Sequence, residues 1–415
     1  MANTKVLIVG AGPTGLTAAN ELARLGVQVK IIDKTSVRSE KSRAIGVHAG
    51  TLESLENSFG KDFCRKLIGA GHKVRTAFLH VYSKAPIRVD LGVIPSVYNF
   101  VLILPQSKTE QLLEEELNKS SIYVDRNTEW ASLREVDGKV LSILRDRQGH
   151  QTEVTSDFVI GADGAHSAIR NALHLPFRGD AYKLEFIQGD VEIEWPWPYG
   201  DIRSFLSSKG FLACFPLSSN GSGNGSGKRK GNGDYRLVMV QPNKADSRAT
   251  KVSLNDFAAA VKSICPEIRI KRETWLSRYS VHHRITNRLR CGRVFLAGDA
   301  AHVHSPIGGQ GMNTGMQEAL NLSFKLATVI CKEAPLSLLE HYESECLPVA
   351  KDILRATDLA TRFGLASNHR INDFAKSFVV PLMAKNKWIR QAVIKGISRV
   401  SIARKEIDNR SREKP

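Results

Sequence analysis

The 415-residue chain predicts an α/β protein, and three observations carry that expectation. A glycine-rich turn near the N-terminus stands between an apolar strand and a segment of helical period. A middle block, residues 181–284, consists of short runs rich in aromatic and β-branched residues and separated by turn residues. From residue 318 onward apolar residues recur at helical intervals. The length exceeds one ordinary core, so two domains, or one large discontinuous one, are expected.

The N-terminal element is KVLIVGAGPTGLTAANELARLGVQVKIIDK, residues 5–34. It reads as a strand at Val6–Val9, a turn, a helix with Leu16, Ala19, Leu22 and Ala23 on one stripe, and a second strand ending at Asp33. This is the βαβ unit of a Rossmann-like dinucleotide site. Gly10 permits the tight turn, Gly12 brings the backbone close to a pyrophosphate, and Gly15 lets the helix pack on the strand. The helix start, with Pro13 and Thr14, aims its amides at phosphates, and Asp33, followed by Lys34, accepts from a ribose 2′-OH. An acid at that position disfavours a 2′-phosphate, which leaves NAD and FAD as candidate tenants.

A net charge of +17 attracts anions in general and does not choose among a polyanionic cofactor, a phosphorylated substrate, an acidic membrane and nucleic acid. Six scattered cysteines form no CxxC pair and no metal-like spacing, and no leader precedes the first strand, so a reducing cytoplasm is expected. No run approaches the ~18 apolar residues that span a bilayer.

Two further stretches narrow the cofactor. DFVIGADGAHSAIR, residues 157–170, runs from an apolar strand into Asp163-Gly164 and then a helix carrying Ser167 and Arg170. RVFLAGDAAHVHSPIGGQGMNTG, residues 293–315, is a strand followed by Gly298-Asp299 and a cluster of glycines. With the N-terminal turn, and in this order, they resemble the three fingerprints of the single-component (class A) FAD-dependent aromatic hydroxylases, the group of para-hydroxybenzoate, phenol and polyketide hydroxylases. The resemblance spans about residues 4–350. SRAIGVHAGTLE (42–53) and LPQSKTEQLLEEEL (104–117) match segments that in this family put an Arg and a Gln beside the flavin, here Arg43 and Gln106.

The resemblance implies FAD as cofactor in a domain of the glutathione-reductase type, and a ribitol-binding role for Asp299. Pro306 ends one backbone direction, while Gly308, Gly309 and Gly311 clear side chains from the path of a planar ring. Amides near Met312 and Asn313 start a helix whose positive end stabilises charge developing on a reduced flavin. Asp163 is suited both to capping its helix and to the cofactor contact that the family resemblance implies, together with Arg170.

The middle block is expected to form a mainly antiparallel β-sheet that covers one face of the flavin and holds substrate, with KVRTAFLHVYS (73–83) adding a strand. Its polar and aromatic residues His80, Tyr82, Phe205, Tyr279 and His282 are the candidate pocket residues. The adjacent His282 and His283 read as strand residues, since neighbours on a strand point to opposite faces, and no metal site is expected. SSNGSGNGSGKRKGNGD (218–234) reads as a flexible hairpin extension. Its charges lack interleaved aromatics, so nucleic acid is not expected as a partner.

The expected organisation is a discontinuous FAD-binding domain at 1–72, 101–180 and 285–350, a β-sheet substrate domain at 73–100 and 181–284, and a helical segment with a basic tail at 351–415. Between Lys385 and Pro415 stand ten Lys/Arg against three Asp/Glu. Trp388, Ile389, Ala392, Val393, Ile397 and Val400 form a stripe suited to peripheral contact with an anionic membrane, although packing on the flavin domain is the preferred reading. Where relatives commonly carry Arg after YESE, this chain has Cys346. Relatives acting on phenols and polyketides often continue into a thioredoxin-like domain, which is not expected here.

The reaction implied by the resemblance is a monooxygenase cycle. FAD is reduced by NADPH or NADH, captures O₂ as a C4a-hydroperoxide, and transfers one oxygen atom to an aromatic small molecule, phenolic or polyketide-like, in a monomer or homodimer. The alternatives are oxygenation of a non-phenolic target, such as inactivation of a tetracycline-type antibiotic, and a non-redox binding protein of the same fold.

Overall fold

A computed structural model describes residues 2–38, 44–82, 84–182, 184–217, 233–242, 252–306 and 308–365. Its helices are α1 (Pro13–Arg24), α2 (Ala49–Ala70), α3 (Gln106–Asn118), α4 (Ala168–Ala172), α5 (Leu254–Ile264), α6 (Gln310–Lys332) and α7 (Glu340–Leu365). Arg43, the 218–232 tip and the basic tail lie outside the described residues.

An eight-stranded sheet has a parallel centre, in the order Val294–Leu296, Gln151–Gly161, Ala2–Val9, Val29–Asp33 and Asp125–Arg126. Parallel strands are covered on both faces and therefore read as continuous apolar runs. Val6, Leu7 and Ile8 accordingly share one core with Leu16 and Leu22 of α1 and Met316, Leu320 and Leu326 of α6. An antiparallel hairpin, Glu129–Val136 with Lys139–Arg145, extends the sheet through the Gln151–Gly161 strand.

The middle block forms a second sheet of seven strands. Its order is Arg269–Tyr279, Leu184–Glu194, Gly233–Pro242, Gly210–Pro216, Ile202–Ser207, Thr76–Val81 and Ile87–Asp90. Every pair is antiparallel except Ile202–Ser207 with Thr76–Val81. Strand alternation gives this sheet two unlike faces. The outer face packs Ile187, Val191, Phe205, Leu212 and Leu237 against Phe257 and Val261 of α5. Each fully buried side chain of this kind contributes about 1.5–3 kcal/mol. On the inner face, Ile202 and Phe215 pack against a cluster that holds Ile45 and Ala49.

The C-terminal helical run breaks between α6 and α7, where Glu333 takes a left-handed conformation and Pro335 follows. Tyr342 of α7 donates to the Leu296 carbonyl at 2.8 Å, which ties that helix to the parallel sheet. Cys346 is buried in the apolar core beside Tyr342 and Leu347. The ion pair of this region is instead Lys325–Glu345, at 2.8 Å. Among the described residues no helix is long and apolar enough to cross a membrane.

Candidate functional site

The turn after the first strand is built by close backbone approach. Gly10 has φ +104°, and a Cβ there would sit 2.3 Å from the Ala162 carbonyl oxygen; one on Gly15 would sit 1.9 Å from the Gly10 carbonyl oxygen. Gly12, by contrast, has nothing within 4 Å of its Cβ position. It is the N-cap of α1 and has no side chain to cap with, so the first amides of that helix are left for a ligand. Asp33 closes the turn from the other side. One carboxylate oxygen accepts from the Ala11 amide at 2.7 Å, and the other from the Thr35 amide and hydroxyl at 2.8 and 2.6 Å. Two carboxylate oxygens offer about four lone-pair positions, so acceptor capacity remains for a ribose. Beyond it Lys34, Thr35, Asn127, Arg145 and Arg147 line an open cleft of about 860 Å³.

Three elements converge on Thr14. Its Oγ1 lies 2.5 Å from a Cβ position on Gly298 and 2.3 Å from one on Gly315. The start of α1, the Gly298-Asp299 turn and the first turns of α6 therefore meet around one hydroxyl, and only residues without side chains fit there. Asp299 is exposed at this junction, with Oδ1 3.9 Å from the Cβ position of Gly311. Helix α6 opens from Gly309 in the left-handed conformation, again without a side-chain cap. Glu318 holds the turn from below, accepting from the Gly298 amide at 2.9 Å and pairing with His302 Nε2 at 2.6 Å.

Asn313 ties this wall to a distant segment. It accepts from the His48 amide at 2.9 Å and donates to the carbonyls of Gly46 at 2.9 Å and Gly309 at 2.8 Å, with 0% exposure. Its side chain is thus a strut, while the helix itself starts earlier than expected, at Gln310, with Asn313 at the end of the first turn. Gln106 opens α3, donating its amide to Ala44 at 3.1 Å and its side chain to Glu110 at 2.7 Å. Burial raises the Glu110 carboxyl above its usual range, and the Gln106 bond opposes that shift.

Asp163 accepts from the amides of Ala168 and Ile169 at 2.7 and 3.3 Å, while Ser167 is the N-cap and accepts from Arg170. One Asp163 oxygen caps the helix; the other, Oδ1, is buried without a partner among the described residues. Arg170 donates to the carbonyls of Ala300 and Ala165 and stacks on Phe177 at 3.8 Å, bracing the GD turn. Open space at Gly12, two helix N-termini without side-chain caps and a buried carboxylate oxygen without a partner are features that fit a dinucleotide.

The five pocket candidates do not lie together. His80 and Phe205 stack at 4.5 Å on the outer face, with Arg203 and Trp197, on the side that α5 covers. The parallel register that pairs Phe205 with His80 puts both on that face, which removes them from a pocket at the flavin. There, burial first and Arg203 second lower the His80 pKa. His282 belongs to a separate three-stranded sheet with Phe177–Ala181 and His302–Val303, because the chain leaves the large sheet after Tyr279. Tyr82 follows its strand at φ +52°. Only Tyr279 is on the inner face, donating to Gln188 Oε1 at 3.0 Å and stacked on Phe186. Among the described residues no cluster of His, Cys, Asp or Glu is arranged to hold a metal.

Residues 3–357 match the family model described as FAD binding domain. The chain belongs to this family. FAD is therefore its cofactor. Among its relatives, an uncharacterized aromatic compound monooxygenase of Bacillus subtilis (strain 168) is 33% identical over 87% of this chain and 69% of its own length. Pentachlorophenol 4-monooxygenase of Sphingobium chlorophenolicum is 33% identical over 86% of this chain and 64% of its own. The anhydrotetracycline hydroxylase structure from Streptomyces rimosus superposes with a TM-score of 0.74 at 26% identity, over 95% of this chain and 76% of that one.

Sequence reasoning missed the polar residues of the inner face: Gln188, Asp190, Arg236 and Trp275. The available signal was Asp190 and Arg236, charges that interrupt the strands LEFIQGDVEIE and GDYRLVMVQP at positions where alternation points them inward. His48, buried beside Gly309, was missed as well.

Proposed function

We propose that this protein is an FAD-dependent monooxygenase that uses NADPH or NADH and O₂ to hydroxylate an aromatic small molecule, phenolic or polyketide-like. The observation that carries the reading is the meeting of α1, the Gly298-Asp299 turn and α6 around Thr14. Bound FAD supplies the chemistry, accepting a hydride from the nicotinamide and delivering one oxygen atom of O₂ to an electron-rich ring.

The chain's own residues bind, orient and exclude water. Amides at the start of α1 hold the pyrophosphate, Asp33 a ribose and Asp299 the ribitol, while the first amides of α6 favour negative charge on the reduced ring. Asp163 and Arg170 serve the same cofactor through the DG turn, and the Tyr279–Gln188 pair is the polar contact a substrate hydroxyl meets. The Rossmann-like unit, of the glutathione-reductase type, belongs to a discontinuous domain of residues 1–72, 101–180 and 285–350. Residues 73–100 and 181–284 carry the substrate. The protein acts in the cytoplasm, as a monomer or homodimer.

The test is oxidation of NADPH and NADH by FAD-reconstituted protein with H₂O₂ measured, across phenols, chlorophenols, polyphenolic polyketides and tetracyclines. A compound that accelerates oxidation and suppresses peroxide identifies the substrate class. Failure of every compound to do so, with a flavin that nicotinamide cannot reduce, sinks the reading.

A further inference from the structure

Asp190, Arg236 and Trp275 stand in one row across three adjacent strands of the inner face. Arg236 is 1% exposed, and its guanidinium grips Asp190 with two parallel bonds, Nε to Oδ1 at 2.6 Å and Nη2 to Oδ2 at 2.7 Å. The Trp275 indole N–H donates to the same Oδ2 at 2.8 Å, and its ring lies 5.2 Å from the guanidinium. The remaining nitrogen, Arg236 Nη1, leaves the sheet and donates to the Ala44 carbonyl at 3.3 Å.

That carbonyl begins a short bridge. It also accepts the Gln106 amide, and Ile45 accepts the Leu104 amide at 2.7 Å. Two residues further on, Gly46 and His48 are bound by Asn313 of α6. Residues 44–48 are therefore held at one end by the seven-stranded sheet and at the other by the first turn of α6.

We propose that Asp190, Arg236 and Trp275 are positioning residues, a clamp that fixes residues 44–48 and through Asn313 the Gly309–Met312 turn, so that the flavin wall and the substrate sheet keep one relative placement. This rests on the flavin reading above. A buried ion pair is no better for stability than well-packed apolar residues of the same volume, because both charges lose their water. What the two-pronged pair adds is direction: a planar fork on a carboxylate fixes orientation as an apolar contact cannot. The third donor of that oriented fork is spent on the bridge.

The test compares Asp190→Asn and Trp275→Phe with Val261→Ala, a core variant in α5, which packs on the opposite face. In apoprotein, hydrogen exchange of the His48 amide, read by mass spectrometry on the segment 44–52, is expected to rise about tenfold in Asp190→Asn, less in Trp275→Phe, and not in Val261→Ala. In FAD-reconstituted protein both clamp variants are expected to keep FAD binding within about threefold, while the visible circular dichroism of the bound flavin changes and its reduction by NADPH slows about tenfold. Should Asp190→Asn fail to fold, Trp275→Phe decides. Unchanged exchange and an unchanged flavin band in Trp275→Phe overturn the clamp, as does an equal exchange increase in Val261→Ala. A wild-type protein that binds no FAD defeats the functional reading instead, and the apoprotein exchange result stands apart from it.

Discussion

Replacing Asn313 with Ala strikes the junction between the wall of α6 and residues 44–48. The side chain makes three hydrogen bonds of 2.8–2.9 Å at 0% exposure. Truncation orphans the His48 amide and the Gly46 carbonyl, both in buried residues, whereas Gly309 is exposed and can turn to water. Each buried orphan costs about 1–3 kcal/mol, so the change destabilises by about 2–6 kcal/mol. For a chain of this size that corresponds to a fall in melting temperature of roughly 2–7 °C. Asn313→Asp is the sharper variant: it keeps the acceptor for His48 but sets an anion against two carbonyl oxygens, and is expected to be at least as damaging. Differential scanning fluorimetry with and without added FAD reads both effects, and the FAD-induced rise in melting temperature should shrink in each variant. A fall of less than about 2 °C in Asn313→Ala, with the FAD-induced rise intact, refutes the strut.

The glycines of the first turn separate stability from binding. Gly12→Ala places its methyl in open space, so the apoprotein should melt like wild type while FAD affinity drops at least about tenfold; Gly15→Ala, whose Cβ meets a carbonyl oxygen at 1.9 Å, should fail to fold or melt far lower. Isothermal titration and calorimetry check the pair, and equal affinities in Gly12→Ala and wild type would reject the pyrophosphate path. Asp163→Ala removes the one oxygen that accepts from the Ala168 and Ile169 amides of α4 and should cost about 1–2 kcal/mol of apoprotein stability, together with weaker FAD binding; loss of stability alone would mark Asp163 as a cap only. Burial, ahead of the opposing Gly200 contact, holds the His72 pKa below its ordinary 6.5. The unfolded chain therefore binds the proton more readily, and this contribution to stability is present above pH 6.5 and lost as pH falls below it. Melting curves from pH 7.5 to 5.5 should drop more steeply in wild type than in His72→Gln, and parallel curves would contradict the assignment.

Local chemistry made the parallel sheet and its turn legible. Val6–Val9 and Asp33 are legible through period and charge because the first strand pairs with Val29–Ile32 and Asp33 accepts from Ala11, all within about thirty residues; Gly10 was legible as a turn, while the contact that demands it, with Ala162, comes from far along the chain. The sheet of the middle block was legible for the same reason, strand by strand. Its faces were not. Whether His80 points at a flavin or at α5 depends on its register with Phe205, 125 positions away, and no local pattern encodes a parallel pairing across that distance. His282 followed the large sheet in sequence but leaves it in space, since the chain turns between Tyr279 and His282 to join Phe177–Ala181. Asn313 was legible as part of a helix's first turn and not as a strut, because its partners, Gly46 and His48, come from the opposite end of the chain.

The unlike faces of the seven-stranded sheet bear directly on where chemistry can occur. Polar groups buried without compensation are expensive, so a sheet that serves only as scaffold is expected to be apolar wherever it is covered. The outer face meets that expectation where α5 covers it, and the groups that depart from it are Arg203 with His80 on one side and Glu185 with Gln241 and Arg278 on the other. The inner face carries Gln188, Asp190, Arg236 and Tyr279 on three neighbouring strands, each satisfied by another member of the set or by Trp275. These are two hydrogen-bonded sets, Tyr279 with Gln188 and Asp190 with Arg236 and Trp275, and the second reaches out of the sheet to the Ala44 carbonyl. Substrate orientation and flavin placement then share one support, so a change at Asp190 alters both together, whereas a change at Phe257 alters neither except through global stability.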